Sequence, residues 1–242
     1  MNTHHPRDQL LSFSEADHVY IHLPTGEQYT SGTTFLHKFF APFDGPMVVD
    51  KMMNGRNWSK SPYHGMTKEA ILGKWEADRD DAAKRGTLMH SRIEQEILGK
   101  EVDWSEQQAE RDNFRIAYGD LEKEGWKVYR LEWRIFTEKN RVAGTLDGLF
   151  VNGEGKFLLL DWKRSKEIKK ENQWQRALKP LSHLPDCNYV QYCLQLNLYR
   201  WILLKHYNIT VSEMRLYSFH PNQPIYMRYN IPVMEKEMAL IM

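Results

Sequence analysis

Residues 157–163 read Phe-Leu-Leu-Leu-Asp-Trp-Lys. Four consecutive apolar residues without polar relief predict a strand buried on both faces, and such strands occur where helices cover a sheet from either side. The run closes on Asp161 and, two places on, Lys163. Side chains alternate along a strand, so these two share a face at its mouth. A buried strand has no reason to end in an acid and an ammonium unless both are needed there. The pairing suits a divalent cation held by the carboxylate, with the lysine orienting a water or offsetting phosphate charge.

Acid-any-lysine alone carries little information. The chain has three copies: Glu154-Gly155-Lys156, Asp161-Trp162-Lys163 and Glu167-Ile168-Lys169. The first falls in a Gly-rich turn and the third in a lysine-rich stretch. Only the second follows an apolar run. A surface ion pair at a strand end would show the same three residues, so their surroundings decide.

The chain has 242 residues, 41% of them hydrophobic and 12% aromatic, enough to build a core. Its net charge is +1, so any nucleic-acid surface must come from local charge rather than the global balance. Two cysteines, Cys187 and Cys193, lie six apart in a stretch read as helical, a poor geometry for a disulfide. Two are also too few for the four thiolates usual at an iron–sulfur cluster. The expected setting is intracellular and reducing. No apolar run reaches membrane-spanning length, and no charged-then-apolar signal opens the chain.

Along the chain, Val19–Leu23 and Gln28–Thr30 predict a hairpin, and Thr33 or Thr34 a cap for a short helix with Phe35, Leu36, Phe39 and Phe40. A loop at residues 54–64 precedes a long helical region, about Thr67 to Leu98, that Gly86 is expected to divide or bend. A helix at about 106–124 ends at Gly125. Strands follow at 126–136, 141–151 and 157–163. Then come a polar connection of some helical character at 166–185, a helix at 188–207, and strands at 212–220 and 226–231. Helix, three strands, helix and strand make a mixed α/β layer with helices packed on a central sheet.

Strand 141–151 carries Ala-Gly-Thr-Leu-Asp-Gly, in which Asp147 interrupts an apolar pattern. The turn at 152–155 sets this strand beside 157–163, so Asp147 and Asp161 are expected to meet across the ladder. Two carboxylates that close repel unless a cation separates them. His90 and Glu94 lie on one helical face, as metal ligands or as an ordinary surface pair. Imidazole is better suited to manganese than to magnesium. Gln195 and Tyr199 share a face of the late helix, next to apolar Leu194, Leu198 and Ile202. Lys163, Arg164, Lys166, Lys169, Lys170, Arg176 and Lys179 form a locally basic stretch around Trp174. It suits phosphate contacts, with the indole stacking on an unpaired base, although a solvated loop has the same composition.

Gly86 to His90, Gly144 to Asp147, Asp161-x-Lys163 and Gln195-x-x-x-Tyr199 occur in one order. That order resembles the PD-(D/E)xK nuclease superfamily, in its RecB-like exonuclease branch. Relatives there include the mitochondrial genome-maintenance exonuclease and members from viruses and phages. Each motif is weak; four in sequence over residues 80–220 are much more specific. The resemblance implies a restriction-endonuclease-like α/β core (helix, three-strand meander, helix, strand) at 81–242. An added, mostly helical N-terminal region with a hairpin, residues 1–80, would pack on it. It implies His90, Asp147, Asp161 and the Trp162 carbonyl as ligands of Mg²⁺ or Mn²⁺, with Glu94 assisting. Lys163 would align the attacking water. Gln195 and Tyr199 would brace the site, and Arg164, Lys166, Lys169, Lys170 and Trp174 would contact DNA. The implied activity is a metal-dependent exonuclease on DNA ends or single strands, working with replication or recombination proteins, in a host cytoplasm or nucleus if viral. An inactive DNA-binding scaffold, a structure-specific endonuclease and an RNase are the alternatives. The cysteine quartet of the iron–sulfur members is missing.

Overall fold

The two apolar runs flanking the turn at residues 152–156 form antiparallel strands, β5 (Val142–Val151) and β6 (Phe157–Lys163), in the register Gly148↔Leu160 to Val151↔Phe157. The Asn152 carboxamide closes the turn by accepting the N–H groups of Glu154 and Lys156, and Gly155 supplies the positive φ of +76°. The computed structural model describes residues 4–15 and 17–242.

Before this hairpin come β1 (Leu11–Ser14), β2 (Val19–His22), β3 (Glu27–Ser31), α1 (Gly32–His37), α2 (Gly45–Met53), α3 (Lys68–Ile97), α4 (Gln108–Lys123) and β4 (Lys127–Thr137). After it come α5 (Asn188–His206), β7 (Val211–Ser218), β8 (Met227–Asn230) and α6 (Glu235–Ile241). The eight strands of the described residues form one sheet, ordered β1-β2-β3-β5-β6-β7-β8, with β4 paired to β5 off that path. β6 and β7 are parallel, a pairing that needs a crossover, and α5 provides it. Helix, three-strand meander, helix and strand therefore follow in the expected order.

Two apolar layers cover the sheet. On one face Phe35, Leu36, Leu194, Leu198, Ile202 and Leu216 join α1 and α5 to the strands. On the other, Met89, Ile93, Phe114, Leu121, Trp162 and Phe219 join α3 and α4 to them. β6 serves both: Leu159 enters the first layer, Leu158, Leu160 and Trp162 the second. Cover on both faces is the reason this strand is uniformly apolar.

Three local expectations are corrected. The cap of α1 is Ser31, whose hydroxyl accepts the Thr34 N–H at 3.1 Å, rather than Thr33 or Thr34. Gly86 does not divide α3, which runs unbroken for 30 residues. One glycine costs a helix about 1 kcal/mol, and the good helix formers Ala82, Ala83, Lys84 and Arg85 precede it. The connection at 166–185 contains no helix, only an isolated bridge between Arg176 and Pro185. Asparagine side chains take its backbone N–H groups instead: Asn172 those of Trp174 and Gln175, Asn188 that of Lys169. Cys187 and Cys193 are both free and buried.

Candidate functional site

β5 is where the sheet splits. One of its edges pairs with β4 along the whole strand. The other meets β3 only at Val142 and Ala143, and β6 only from Gly148 onward. Residues 144–147 lie between, without a strand partner on that side. Asp147 sits at the closing end of this gap. Its Oδ2 accepts the backbone N–H of Trp162 at 2.7 Å, so a carboxylate replaces the missing carbonyl of the ladder.

The opening end of the gap is plugged by Tyr199. A methyl group placed on Gly144 would lie 2.5 Å from Tyr199 Cε1, so the phenol rests on bare backbone. Gln195 Nε2 donates to the Tyr199 hydroxyl at 3.3 Å. Gln195 and Tyr199 are thus built into the wall of the site, with Tyr199 buried.

Around Asp147 the charges converge. His90, presented by α3, brings Nδ1 to 3.5 Å from Asp147 Oδ1. Lys163 donates from Nζ to Asp161 Oδ1 at 2.8 Å and lies 2.6 Å from Oδ2. Oδ2 is buried and, despite that proximity, has no hydrogen-bond donor in a bonding direction. Burial favours the neutral form of Asp161; Lys163 opposes it and Asp147 reinforces it, and the carboxyl rises to about 6. Burial also works against the charge on His90, but adjacent Asp147 overrides it and holds the imidazole at about 9. Asp147 is itself raised by burial and lowered more by His90 and Lys163, ending below its ordinary value.

A fourth group was missed in the sequence. Glu132 on β4 brings a carboxylate oxygen within 4.8 Å of ligand atoms of His90 and Asp147. The flanking register, Leu131↔Gly148 and Trp133↔Leu146, places it opposite Asp147. Its φ of 44° is left-handed, an uncommon conformation for glutamate and a mark of local strain. Burial, then repulsion from Asp147, pushes its carboxyl up to about 8. Counting back along the hairpin from the Asn140 turn would have put Glu132 across from Asp147. The alternation Leu131-Glu132-Trp133-Arg134 disguised it as an outward-facing residue.

Glu132, Asp147 and Asp161 thus face two cations, His90 and Lys163. Three acids against two cations leave one carboxyl that is comfortable only when protonated, and Glu132 takes that position. A divalent cation would remove the mismatch, and Asp161 Oδ2, ion-paired with Lys163 but accepting no aligned hydrogen bond, offers it an oxygen. Two carboxylates, an imidazole and a third acid form a mixed oxygen and nitrogen donor set suited to Mn²⁺ or Mg²⁺.

The remaining expected residues divide into groups. Glu94, one turn after His90, is close enough to push on Glu132 but stands outside the three-residue cluster. The Trp162 side chain is buried in the second apolar layer, stacked on Phe219. Arg164 does not join the open rim: its Nε donates to Glu110 at 2.8 Å, with 11% and 4% of the two side chains exposed. Lys166, Lys169 and Lys170 are exposed, and Trp174 is 92% exposed. Tyr192, also unforeseen, places its ring 5.4 Å from the Lys163 ammonium.

No protein-family model matches this chain, and no curated protein does. Among solved structures, an alkaline exonuclease (LHK-Exo) from Laribacter hongkongensis is 12% identical at a TM-score of 0.34, covering 86% of this chain and 85% of its own. The protein SSO0001 is 13% identical at a TM-score of 0.32, covering 88% and 70%. At these values neither neighbour assigns a role to any residue here.

Proposed function

We propose that this chain is a divalent-metal-dependent DNA nuclease. The observation that carries the reading is the set of His90, Glu132, Asp147, Asp161 and Lys163 at the split in the sheet, with two buried acids and the half-buried Glu132 against two cations. His90, Asp147 and Asp161, with Glu132 and the Trp162 carbonyl, would hold Mg²⁺ or Mn²⁺. When bound, the metal supplies Lewis-acid polarisation of a phosphodiester and a lowered pKa for water. Lys163, braced by the Asp161 carboxylate and the Tyr192 ring, positions a water and offsets charge on the phosphate. Tyr199 and Gln195 keep the gap in β5 at a fixed width. The exposed lysines at 166, 169 and 170, with Trp174, would line the way in for a strand. Residues 81–242 would make up the nuclease unit, with 1–80 as an extension to it.

Exonuclease action at ends or on single strands is the favoured form. The test is incubation with 5′- and 3′-labelled linear DNA and with circular DNA, with and without Mn²⁺. Metal-dependent release of short products from linear DNA, lost in Asp161→Asn and Lys163→Ala, is expected. Cleavage of circular DNA would make the enzyme an endonuclease. Cutting that persists in both variants would remove the assignment, and binding without cutting would leave a scaffold.

A further inference from the structure

The N-terminal half of α3 carries a second feature far from the metal centre. Residues 73–88 are almost entirely exposed. Beyond them the helix meets α2 and the loop at 54–66, which pack together as a small lobe. Val49 and Ile71 are fully buried there, outside the apolar layers that line the sheet. Trp75 meets the rings of Phe43 and Tyr63 at 6.0 and 5.9 Å, and Lys68 pairs with Asp50 at 2.6 Å.

The lobe's outer surface holds a concavity of about 590 Å³ lined by Met52, Arg56, Asn57, Trp58, Lys60 and Ser61. Its cations are available: among the described residues, neither Arg56 nor Lys60 has an ion-pair or side-chain hydrogen-bond partner. Residues 50–68 contain four cations and one acid, Asp50, which Lys68 already neutralises. Trp58, steadied by His64 at 5.6 Å between ring centres, gives the concavity an aromatic wall. Unpaired cations beside an accessible indole have the chemistry of a single-strand contact: phosphates on Arg56 and Lys60, a base on Trp58.

We infer that this concavity is a distal binding site for a single nucleic-acid strand whose reacting end lies at the metal centre. The inference rests on the nuclease reading for the position of that end. Lys68 and His90 are 22 residues apart on one unbroken helix, about 33 Å at 1.5 Å per residue. A strand joining the two sites spans roughly ten nucleotides at a stacked spacing of about 3.4 Å. α3 thereby acts as a ruler, holding a ligand of the metal at one end and the distal site at the other.

The test is fluorescence anisotropy of a labelled 24-nucleotide single strand and a labelled tetranucleotide, in EDTA, with wild type and the double variant Arg56→Gln/Lys60→Gln. Both positions are exposed, so the fold should survive; thermal melting checks this. Wild type should bind the long strand more tightly than the tetranucleotide. The variant should bind the long strand about tenfold more weakly, and it should also bind the tetranucleotide, short enough to sit on the distal site alone, more weakly. Its salt slope for the long strand should fall by about 1.4, two phosphate contacts at roughly 0.7 each. Arg56→Lys/Lys60→Arg, which keeps both charges, should bind as wild type does. Equal binding of the long strand by wild type and the Gln variant would overturn the inference, as would equal affinity of wild type for the two lengths or no binding by wild type. Cleavage with Mn²⁺ is scored separately: wild type that binds by this pattern yet never cuts removes the nuclease reading and leaves the distal site standing.

Discussion

Gly144→Ala is the substitution whose outcome the structure constrains most tightly. The added methyl would stand 2.5, 2.7 and 2.8 Å from Cε1, Oη and Cζ of Tyr199. Non-bonded carbons are comfortable at about 3.5–4.0 Å, so ring or strand must move by about 1 Å. The ring has little freedom, because it is buried and its Cε1 also lies 3.1 Å from where a methyl on Gly32 would stand. Overpacking of this kind costs roughly 1–3 kcal/mol, and the rigid confinement argues for the upper half of that range. For a chain of this size each kcal/mol lowers Tm by about 2–4 °C, so a fall of roughly 4–12 °C is expected. Thermal melting by circular dichroism measures it. In a Tyr199→Leu background the ring is gone, and the same Gly144→Ala change should cost less than about 1 kcal/mol. Gly144→Ala melting within about 1 °C of wild type, or an equal penalty in both backgrounds, would refute the packing argument.

Three further outcomes follow from the polar network. Glu132→Gln should raise Tm at pH 7 without metal, because the amide is neutral without taking up the proton that Glu132, pushed up to about 8, must bind on folding beside Asp147, and it should weaken Mn²⁺ binding at least about tenfold in a fluorescence titration. Glu110→Ala should destabilise by about 3 kcal/mol because it strands the Arg164 guanidinium, whereas Glu110→Met/Arg164→Met should recover most of that loss in urea unfolding. Asp8 accepts from the His5 N–H, the Trp133 indole and Arg130; burial raises its pKa, and these donors bring it below the ordinary 3.8. Its contribution is therefore present above pH 3.8 and lost as pH falls through the lower folded value. Asp8→Asn should cost about 1–3 kcal/mol at pH 7 and converge on wild type in acid, as unfolding midpoints across pH will show.

The sequence exposed most readily what a single local pattern determines. The apolar run of β6 and the Asn/Gly turn before it give the β5–β6 hairpin, and with it the approach of Asp147 to Asp161. His90 was visible by helical spacing, and its arrival beside Asp147 was borne by α3 packing through Met89 and Ile93. Glu132 was hidden because the alternation Leu131-Glu132-Trp133-Arg134 reads as an outward-facing position, although the regular register from the turn sets it opposite Asp147. Arg164 looked like one more cation of a basic loop; only the approach of α4, 54 residues earlier, gives it Glu110 as partner. The lobe at α2 was equally opaque. Its loop reads as Gly, Asn, Ser and Pro, and its small core forms only when Val49 and Ile71 come together.

The central claim is that the residues gathered at the split in β5 hold a divalent cation for phosphodiester chemistry. Calorimetric titration of Mn²⁺ into the metal-stripped wild type and into Asp147→Asn tests it most directly. One saturable site in wild type, absent in a folded Asp147→Asn, is the expected result. No heat in wild type, or the same isotherm in both proteins, would contradict it.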